Sequence, residues 1–241
     1  MDMKKELYRG KAKTVYATDD PLQLVMHYRD DVSAFDGVKL ARLDGKGETN
    51  NRINAWVMER LAEAGIRSHF IRLLNERESL VRALKMVPVE CVVRNICAGS
   101  MAKRYGIEEG RRLPEPLFEF FLKSDALHDP LVNDDHIRIL GWASADEIEQ
   151  MRAITHKVNA VLKPMFADAG IDLVDYKLEF GHPLDDPYGP IVLGDEFTPD
   201  GCRLWDAQSS EKMDKDRFRR DLGNVIGKYR EVATRIGVPL D

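Results

Sequence analysis

Residues 175–181, DYKLEFG, and residues 193–206, LGDEFTPDGCRLWD, decide how the chain is read. In a β-strand successive side chains point to opposite faces, so Asp175, Lys177 and Glu179 share one face while Val174, Tyr176, Leu178 and Phe180 share the other. The turn-rich HPLDDPYGP (182–190) returns the chain as a second strand, IVLGDE, which can lie antiparallel to the first and bring Asp195 close to Glu179. Two carboxylates and a lysine then converge. Such a set can hold a hard divalent cation and a phosphate together, as an enzyme using a nucleoside triphosphate requires. The plainer reading is the solvated face of an antiparallel sheet, on which alternating charges are ordinary.

The remaining sequence bounds the choice. A chain of 241 residues, 44% hydrophobic and 32% charged, is a globular protein with a substantial core, as one large or two joined domains. A formal net charge of -5 gives no global attraction for nucleic acid or an anionic membrane. The start, MDMKKELYRG, lacks the apolar core of a signal peptide, and no apolar run is long enough to span a bilayer, so a cytoplasmic location is expected. Cys91, Cys97 and Cys202 form neither an even disulfide set nor a C-x-x-C pair, and read as reduced structural thiols. The six histidines show no H-E-x-x-H or comparable spacing, which argues against a zinc site.

Outward from the central pair, YRGKAKTVYAT (8–18) and PLQLVMHYRD (21–30) read as strands around the turn DDP. DGKGETNNRINAWVMERLAEAG (44–65) changes to helical period through Ile53, Trp56, Val57 and Leu61, with Gly65 as terminator. MVPVECVVRN (86–95) reads as a short connector entering a buried strand, and a lobe boundary is placed near Lys85. Residues 144–170 open on the capping box Ser144 to Glu147 and carry one apolar stripe from Ile148 to Phe166, a long helix that Pro164 should kink or divide. DKDRFRRDLGNVIGKYREVATRIG (214–237) aligns Phe218, Leu222, Val225, Ile226, Tyr229, Ala233 and Ile236 as one terminal helix.

Several stretches could carry chemistry. In RGKAK, Arg9, Lys11 and Lys13 alternate with Gly10 and Ala12, so in a strand three cations share a face that suits a polyphosphate; a basic edge strand explains the pattern equally. DGKGETN offers a second phosphate candidate around Lys46 or a simple glycine turn and helix cap. In VVRNICAGSMAKRYG, Arg94 emerges from an apolar strand and Ser100 can cap a short helix ending at Gly106, so an anion could meet guanidinium and helix N-terminus together; a plain cap and an ion pair are the alternative. DDVSAFDG sets Ser33 and Asp36 in a glycine-ended turn, and KSDALHDP holds Lys123 and Asp129 in a polar stretch.

Taken in order, LYRGKAKTVY, DDVSAFDG, GKG, VPVECVVRN, AGS, KSDALHDP, DYKLEFG, LGDEFTPDGCRLWD and KMDKDRFR resemble the phosphoribosylaminoimidazole-succinocarboxamide synthase (SAICAR synthetase) family, in its stand-alone bacterial form. The resemblance implies an α+β, ATP-grasp-like fold of two lobes with antiparallel sheets flanked by helices: residues 1–85 as the ATP-binding lobe and 86–241 as the lobe of metal and substrate sites. It implies ATP-dependent joining of L-aspartate to 5-amino-1-(5-phosphoribosyl)imidazole-4-carboxylate through an acyl phosphate, with Mg²⁺. By the same resemblance Lys11 and Lys13 contact the triphosphate, Val15 and the backbone near Met86 line the adenine, and Lys123 lies near the nucleotide. Glu179 and Asp195 hold the metal, Lys177 stabilises the transferring phosphoryl, Arg94, Ser100 and Arg203 grip the ribonucleotide, and Asp36 lies near its imidazole. A homodimer is usual for the family. HPLDDPYGP is longer and more proline-rich than the family's tight connection. The competing readings are another ATP-grasp-like small-molecule kinase, against which VVRN with AGS suits a small phosphorylated carboxylate better than a polyphosphate ring, and an inactive nucleotide-binding module, against which every expected acid and cation is present.

Overall fold

The structure, a computed structural model, describes residues 5–35 and 37–240. Strands β1 (Glu6–Arg9), β2 (Lys13–Ala17) and β3 (Gln23–Tyr28) are followed by the hairpin β4 (Asp31–Ala34) and β5 (Lys39–Arg42), helix α1 (Lys46–Glu63), and strands β6 (Phe70–Asn75) and β7 (Glu78–Arg82). Then come β8 (Leu84–Ile96), α2 (Gly99–Tyr105), β9 (Arg112–Leu122), β10 (Leu131–Val132), α3 (Asp134–Ile139), α4 (Ala145–Asp168), β11 (Ile171–Pro183), β12 (Val192–Gly194), β13 (Cys202–Asp206), α5 (Asp216–Arg219) and α6 (Val225–Arg235). One antiparallel sheet runs β1-β2-β3-β7-β6. A second runs β10-β9-β8-β11-β12, with β13 also paired to β11. The sheets change over at Ala83, and the architecture is the α+β fold expected.

The main core lies between the second sheet and its helices. Val89, Cys91 and Val93 of β8 and Tyr176, Leu178 and Phe180 of β11 meet Met151, Val158, Leu162 and Phe166 of α4. Ile53, Val57 and Leu61 of α1 belong to the same core, so burial of one face is continuous between the two halves of the chain. Gly47 lies where α1 passes the first sheet: a Cβ there would stand 2.3 Å from the Tyr28 carbonyl oxygen, so only glycine permits the approach. Ser144 and Glu147 form the expected capping box.

Four expectations need correction, and a fifth is narrowed. RGKAK is not one strand: Gly10, Lys11 and Ala12 form the link between β1 and β2, where the Gly10 amide donates to the Lys13 carbonyl at 2.9 Å, so the shared cation face does not exist. Arg9 instead pairs with Glu6. Val174 leaves the face of Tyr176, Leu178 and Phe180 for a separate cluster with Ile96, Ala98 and Trp205, because a bulge between Leu173 and Asp175 interrupts the alternation. MVPVECVVRN opens on no connector, since β8 runs unbroken from Leu84 to Ile96. Helix α4 continues past Pro164 as one element, which excludes a new helix starting there. The terminal helix is two: Asp221, Gly223 and Asn224 take left-handed φ of 55°, 68° and 45°, which breaks the backbone ladder although Leu222 keeps the apolar period.

The proline-rich connection is anchored to both halves of the chain. The Leu184 amide donates to the Ala83 carbonyl at 3.1 Å, Arg82 bonds Asp185 at 2.8 Å, and the His182 ring lies 2.6 Å from Glu147.

Candidate active site

Strand β11 organises the site because it has three neighbours. β8 pairs along one edge, while β13 and β12 share the other, β13 opposite residues 171–176 and β12 opposite residues 179–181. Residues directly opposite one another in an antiparallel pair have neighbouring side chains on one face, so two rows of charge cross β11. Asp175 stands between Arg94 of β8 and Arg203 of β13, and Glu179 stands between Glu90 of β8 and Gly194 of β12.

This face is not the solvated one of the plainer reading: Asp175 is 4% exposed and Glu179 2%. Carboxylates so placed must be paired. In the Glu179 row, the opposed Glu90 and Glu179 are bridged by the Lys177 ammonium, 3.0 Å from Glu90 and 2.7 Å from Glu179. Lys177 is also 3.6 Å from Asp195, Lys123 reaches the second oxygen of Glu179, and Lys13 bonds Asp195 and lies 2.8 Å from Glu196. Desolvation works against both ammoniums, but the surrounding carboxylates win, and Lys13 and Lys177 are held above the ordinary lysine range. Burial would likewise raise Asp195, yet Lys13, Lys177 and Lys123 hold it well below the usual carboxylate range. Burial, with Glu179 adding repulsion, raises Glu90 against the pull of Lys177.

The Asp175 row is built from guanidinium forks. Arg94 gives Nε to Glu119 at 2.6 Å, Nη1 to Asp175 at 2.8 Å and Nη2 to the Ser100 hydroxyl at 3.2 Å. Arg203 gives Nη1 to the same Asp175 oxygen at 2.8 Å and Nε to Asp216 at 2.9 Å. Arg104 also pairs with Glu119, and Arg219 lies 2.5 Å from Asp216. Gly99, at φ 57°, lets the Arg203 fork lie close: a Cβ there would be 2.4 Å from Nη2. Ser100 is not the expected cap of α2, whose N-cap is Ala98; it stands within the first turn and meets Arg94 there.

Both rows open into one cleft of about 440 Å³, closed from the first sheet by the link carrying Lys11 and from the side by Ser33, Ala34 and Phe35. Lys11 reaches Asp125 at 2.9 Å across it. The structure therefore brings together Lys11, Lys13, Lys123, Lys177, Glu179, Asp195, Arg94 and Arg203, with Ser100 beside Arg94. Val15 and Met86 are not among the described residues lining this cleft. Val15 is half-buried in β2; Met86 packs against Gly194, on the β8 face of Glu90 and Arg94. Asp36 lies outside the described residues. The GKG stretch serves packing, because Lys46 is buried and bonds Asp200 at 2.6 Å. A larger cavity of about 1050 Å³, walled by Trp142 and the proline-rich connection, lies elsewhere. The smaller cleft is the candidate site because charges of both signs converge in it.

Sequence reasoning missed several lining residues. Asp175 had a face but no role; it is the anion shared by Arg94 and Arg203. Glu90 was legible, standing two and four residues before Val92 and Arg94 on one strand face. Lys215 and Arg219 also line the cleft, four residues apart at α5, and burial lowers the Lys215 ammonium. Asp214, behind them, accepts the Leu204 and Asp216 amides at 2.8 and 2.7 Å; burial, with Asp216 adding to it, raises its pKa to about 7.

The donor set fits a hard cation. Glu179 and Asp195 offer carboxylate oxygens, and no group of three His, Cys, Asp or Glu able to hold a metal occurs among the described residues. Two carboxylates suit a Mg²⁺ that keeps its remaining positions for phosphate and water.

Comparison with known proteins agrees with the geometry. The family model for SAICAR synthetase matches residues 6–236. The phosphoribosylaminoimidazole-succinocarboxamide synthase of Idiomarina loihiensis is 61% identical over 241 residues, covering all of both chains. The crystal structure of the Ehrlichia chaffeensis enzyme of that name superposes with a TM-score of 0.96 at 42% identity, covering 98% of this chain and 99% of its own. A SAICAR synthetase in complex with ADP superposes at 0.92 with 46% identity, covering 96% and 97%. The chain belongs to the SAICAR synthetase family.

Proposed function

We propose that this protein is an ATP-dependent ligase of purine biosynthesis, joining L-aspartate to 5-amino-1-(5-phosphoribosyl)imidazole-4-carboxylate to give the succinocarboxamide, ADP and phosphate. The observation that carries the reading is the single cleft in which β11 sets a lysine–carboxylate cluster four residues from an arginine–carboxylate cluster, in a chain of this family with a structural relative that binds ADP. A carboxylate oxygen is a poor leaving group. Transfer of the γ-phosphoryl of ATP to it gives a mixed anhydride; the neutral aspartate amine then attacks the carbonyl carbon, the carbon–oxygen bond breaks to release phosphate, and the nitrogen gives up one proton and keeps the other as the amide N–H. Water must be kept out while the anhydride waits.

In this reading Lys11, Lys13 and Lys123 hold the triphosphate, with Val15 and Met86 beside the adenine. Lys177, already among three carboxylates, stabilises charge on the phosphoryl in transit. Glu179 and Asp195 would hold Mg²⁺, which would supply positive charge to offset the repulsion between the reacting anions. Arg94, Ser100 and Arg203 grip the ribonucleotide's phosphate and carboxylate, a task suited to planar forks. Asp36 belongs near the imidazole. Two lobes meeting near Lys85, a homodimer and a cytoplasmic location complete the reading; the change of sheet at Ala83 supports the first. Purified protein with ATP, Mg²⁺, L-aspartate and the imidazole carboxylate should release ADP only when aspartate is present, with the succinocarboxamide identified by absorbance and mass. Absence of aspartate-dependent ADP release would sink the assignment.

A further inference from the structure

Asp195 reaches the cleft by breaking its strand's alternation. Gly194 is the residue opposite Glu179, so the side-chain direction at Gly194 is the one facing the site; Leu193, before it, is wholly buried in the main core. In an unbroken strand Asp195 would follow Leu193 and point away from Glu179. Instead Asp195 takes φ 55°, in the left-handed region, and its carboxylate meets Lys13 and Lys177. Something must hold that turn against the strain of a non-glycine residue there.

The segment before β6 does so. The Leu193 amide donates to the Arg67 carbonyl at 3.1 Å and the His69 amide to the Leu193 carbonyl at 2.8 Å. Where this backbone pairing ends, the His69 ring continues it, with Nε2 2.8 Å from the Asp195 carbonyl oxygen. A carbonyl oxygen only accepts, so Nε2 carries the proton. His69 is 5% exposed, and its own carbonyl accepts the Arg82 amide at 2.7 Å, which ties it to β7.

We propose that His69 is a positioning residue for this site: its Nε2–H fixes the Asp195 carbonyl and with it the left-handed turn that aims the Asp195 carboxylate into the cleft. The proposal rests on the reading of Asp195 as a metal-facing carboxylate. A neighbour that orients a ligand in this way typically changes metal affinity roughly 10- to 100-fold when removed.

The test compares His69→Gln, which keeps an N–H donor at similar reach, with His69→Met, which has similar length and no donor. On the whole chain, affinity for ADP with Mn²⁺ is measured by calorimetry, beside kcat, the Mg²⁺ concentration for half-maximal turnover, and KM for the imidazole ribonucleotide. The His69→Met variant is expected to bind Mn²⁺ with ADP about tenfold more weakly and to need correspondingly more Mg²⁺, while His69→Gln stays within about threefold of wild type. KM for the ribonucleotide is expected to hold in both. A purely structural role would lower the active fraction and leave the affinity and the Mg²⁺ requirement of folded protein unchanged, and that result overturns the proposal. If the Met variant does not fold, ¹⁵N NMR of the wild-type ring decides: a proton on Nε2 with and without ADP and Mg²⁺ is expected, and a ring lacking it overturns the proposal. Asp195→Asn is measured in parallel. Unchanged Mn²⁺ affinity there sinks the metal reading itself, whereas a loss there with none in His69→Met sinks only the role of His69.

Discussion

The two ends of the cleft neutralise the same kind of charge in different ways. At the Glu179 end the counter-ions are lysines, and two of the three keep side chains partly in water, 45% exposed for Lys123 and 34% for Lys177 against 15% for Lys13. At the Asp175 end they are arginines, and Arg94, Asp175, Glu119 and Asp216 all have side chains at most 6% exposed, with Arg203 at 18%. An ammonium on a flexible stem is a point charge that can change partner, whereas a guanidinium held by several carboxylates in a buried lattice keeps its direction. The lysine end is therefore suited to exchanging carboxylate contacts for phosphate and metal, and the arginine end is a preformed grip.

Neutral isosteres should break the lysine end most severely. Glu179→Gln or Asp195→Asn is expected to cut turnover about a hundredfold or more with the urea unfolding midpoint near wild type, as loss of aimed electrostatic stabilisation does. Wild-type turnover in both would remove the metal role. The arginine end should fail differently. Asp175→Asn deprives two buried guanidiniums of their shared anion and is expected to lower stability by about 3 kcal/mol in urea. Arg203→Ala is expected to raise KM for the ribonucleotide far more than KM for ATP, and equal weakening of both would erase the distinction between the ends.

A subtler effect tests the support behind Arg203. Asp214 has its pKa raised to about 7 from an ordinary 3.8. The folded state then holds a proton that the unfolded chain has lost, so this group favours folding fully below about pH 4 and that contribution is lost as pH rises to about 7. The stability of wild type relative to Asp214→Asn is therefore expected to fall across that window, no more steeply than about 1.4 kcal/mol per pH unit. A flat difference would mean Asp214 does not titrate there. The smallest effect belongs to Lys11→Ala: its ion pair with Asp125 is exposed, and stability is expected to change by less than about 1 kcal/mol even where ATP binding weakens.

What the sequence shows of this site follows from period two. The alternation of Asp175, Lys177 and Glu179 is visible in the letters, and so is the return of the chain towards Asp195. The partner of Asp175 is not, because it depends on β8 and β13 flanking the same residue from opposite edges, a matter of register across 109 residues from Arg94 to Arg203. RGKAK looks like alternation whether it is strand or link, and it is the pairing of Arg9 with Thr14 and the bond from Gly10 to Lys13 that distinguish them. Leu222 fits a helical stripe, yet it stands exposed between Asp221 and Gly223, whose left-handed φ interrupt the helix. Lys46 reads as a phosphate lysine until its buried partner, Asp200, is seen 154 residues away.

The most direct test of the exchange between lysine and carboxylate is a crystal structure of this protein with ADP and Mg²⁺. The expected result is that the Lys13 and Lys123 ammoniums leave Asp195 and Glu179 for phosphate oxygens while the contacts of Arg94 and Arg203 with Asp175 stay in place. Lysines still on their carboxylates with the nucleotide bound elsewhere, or a dispersed arginine lattice, would contradict the account.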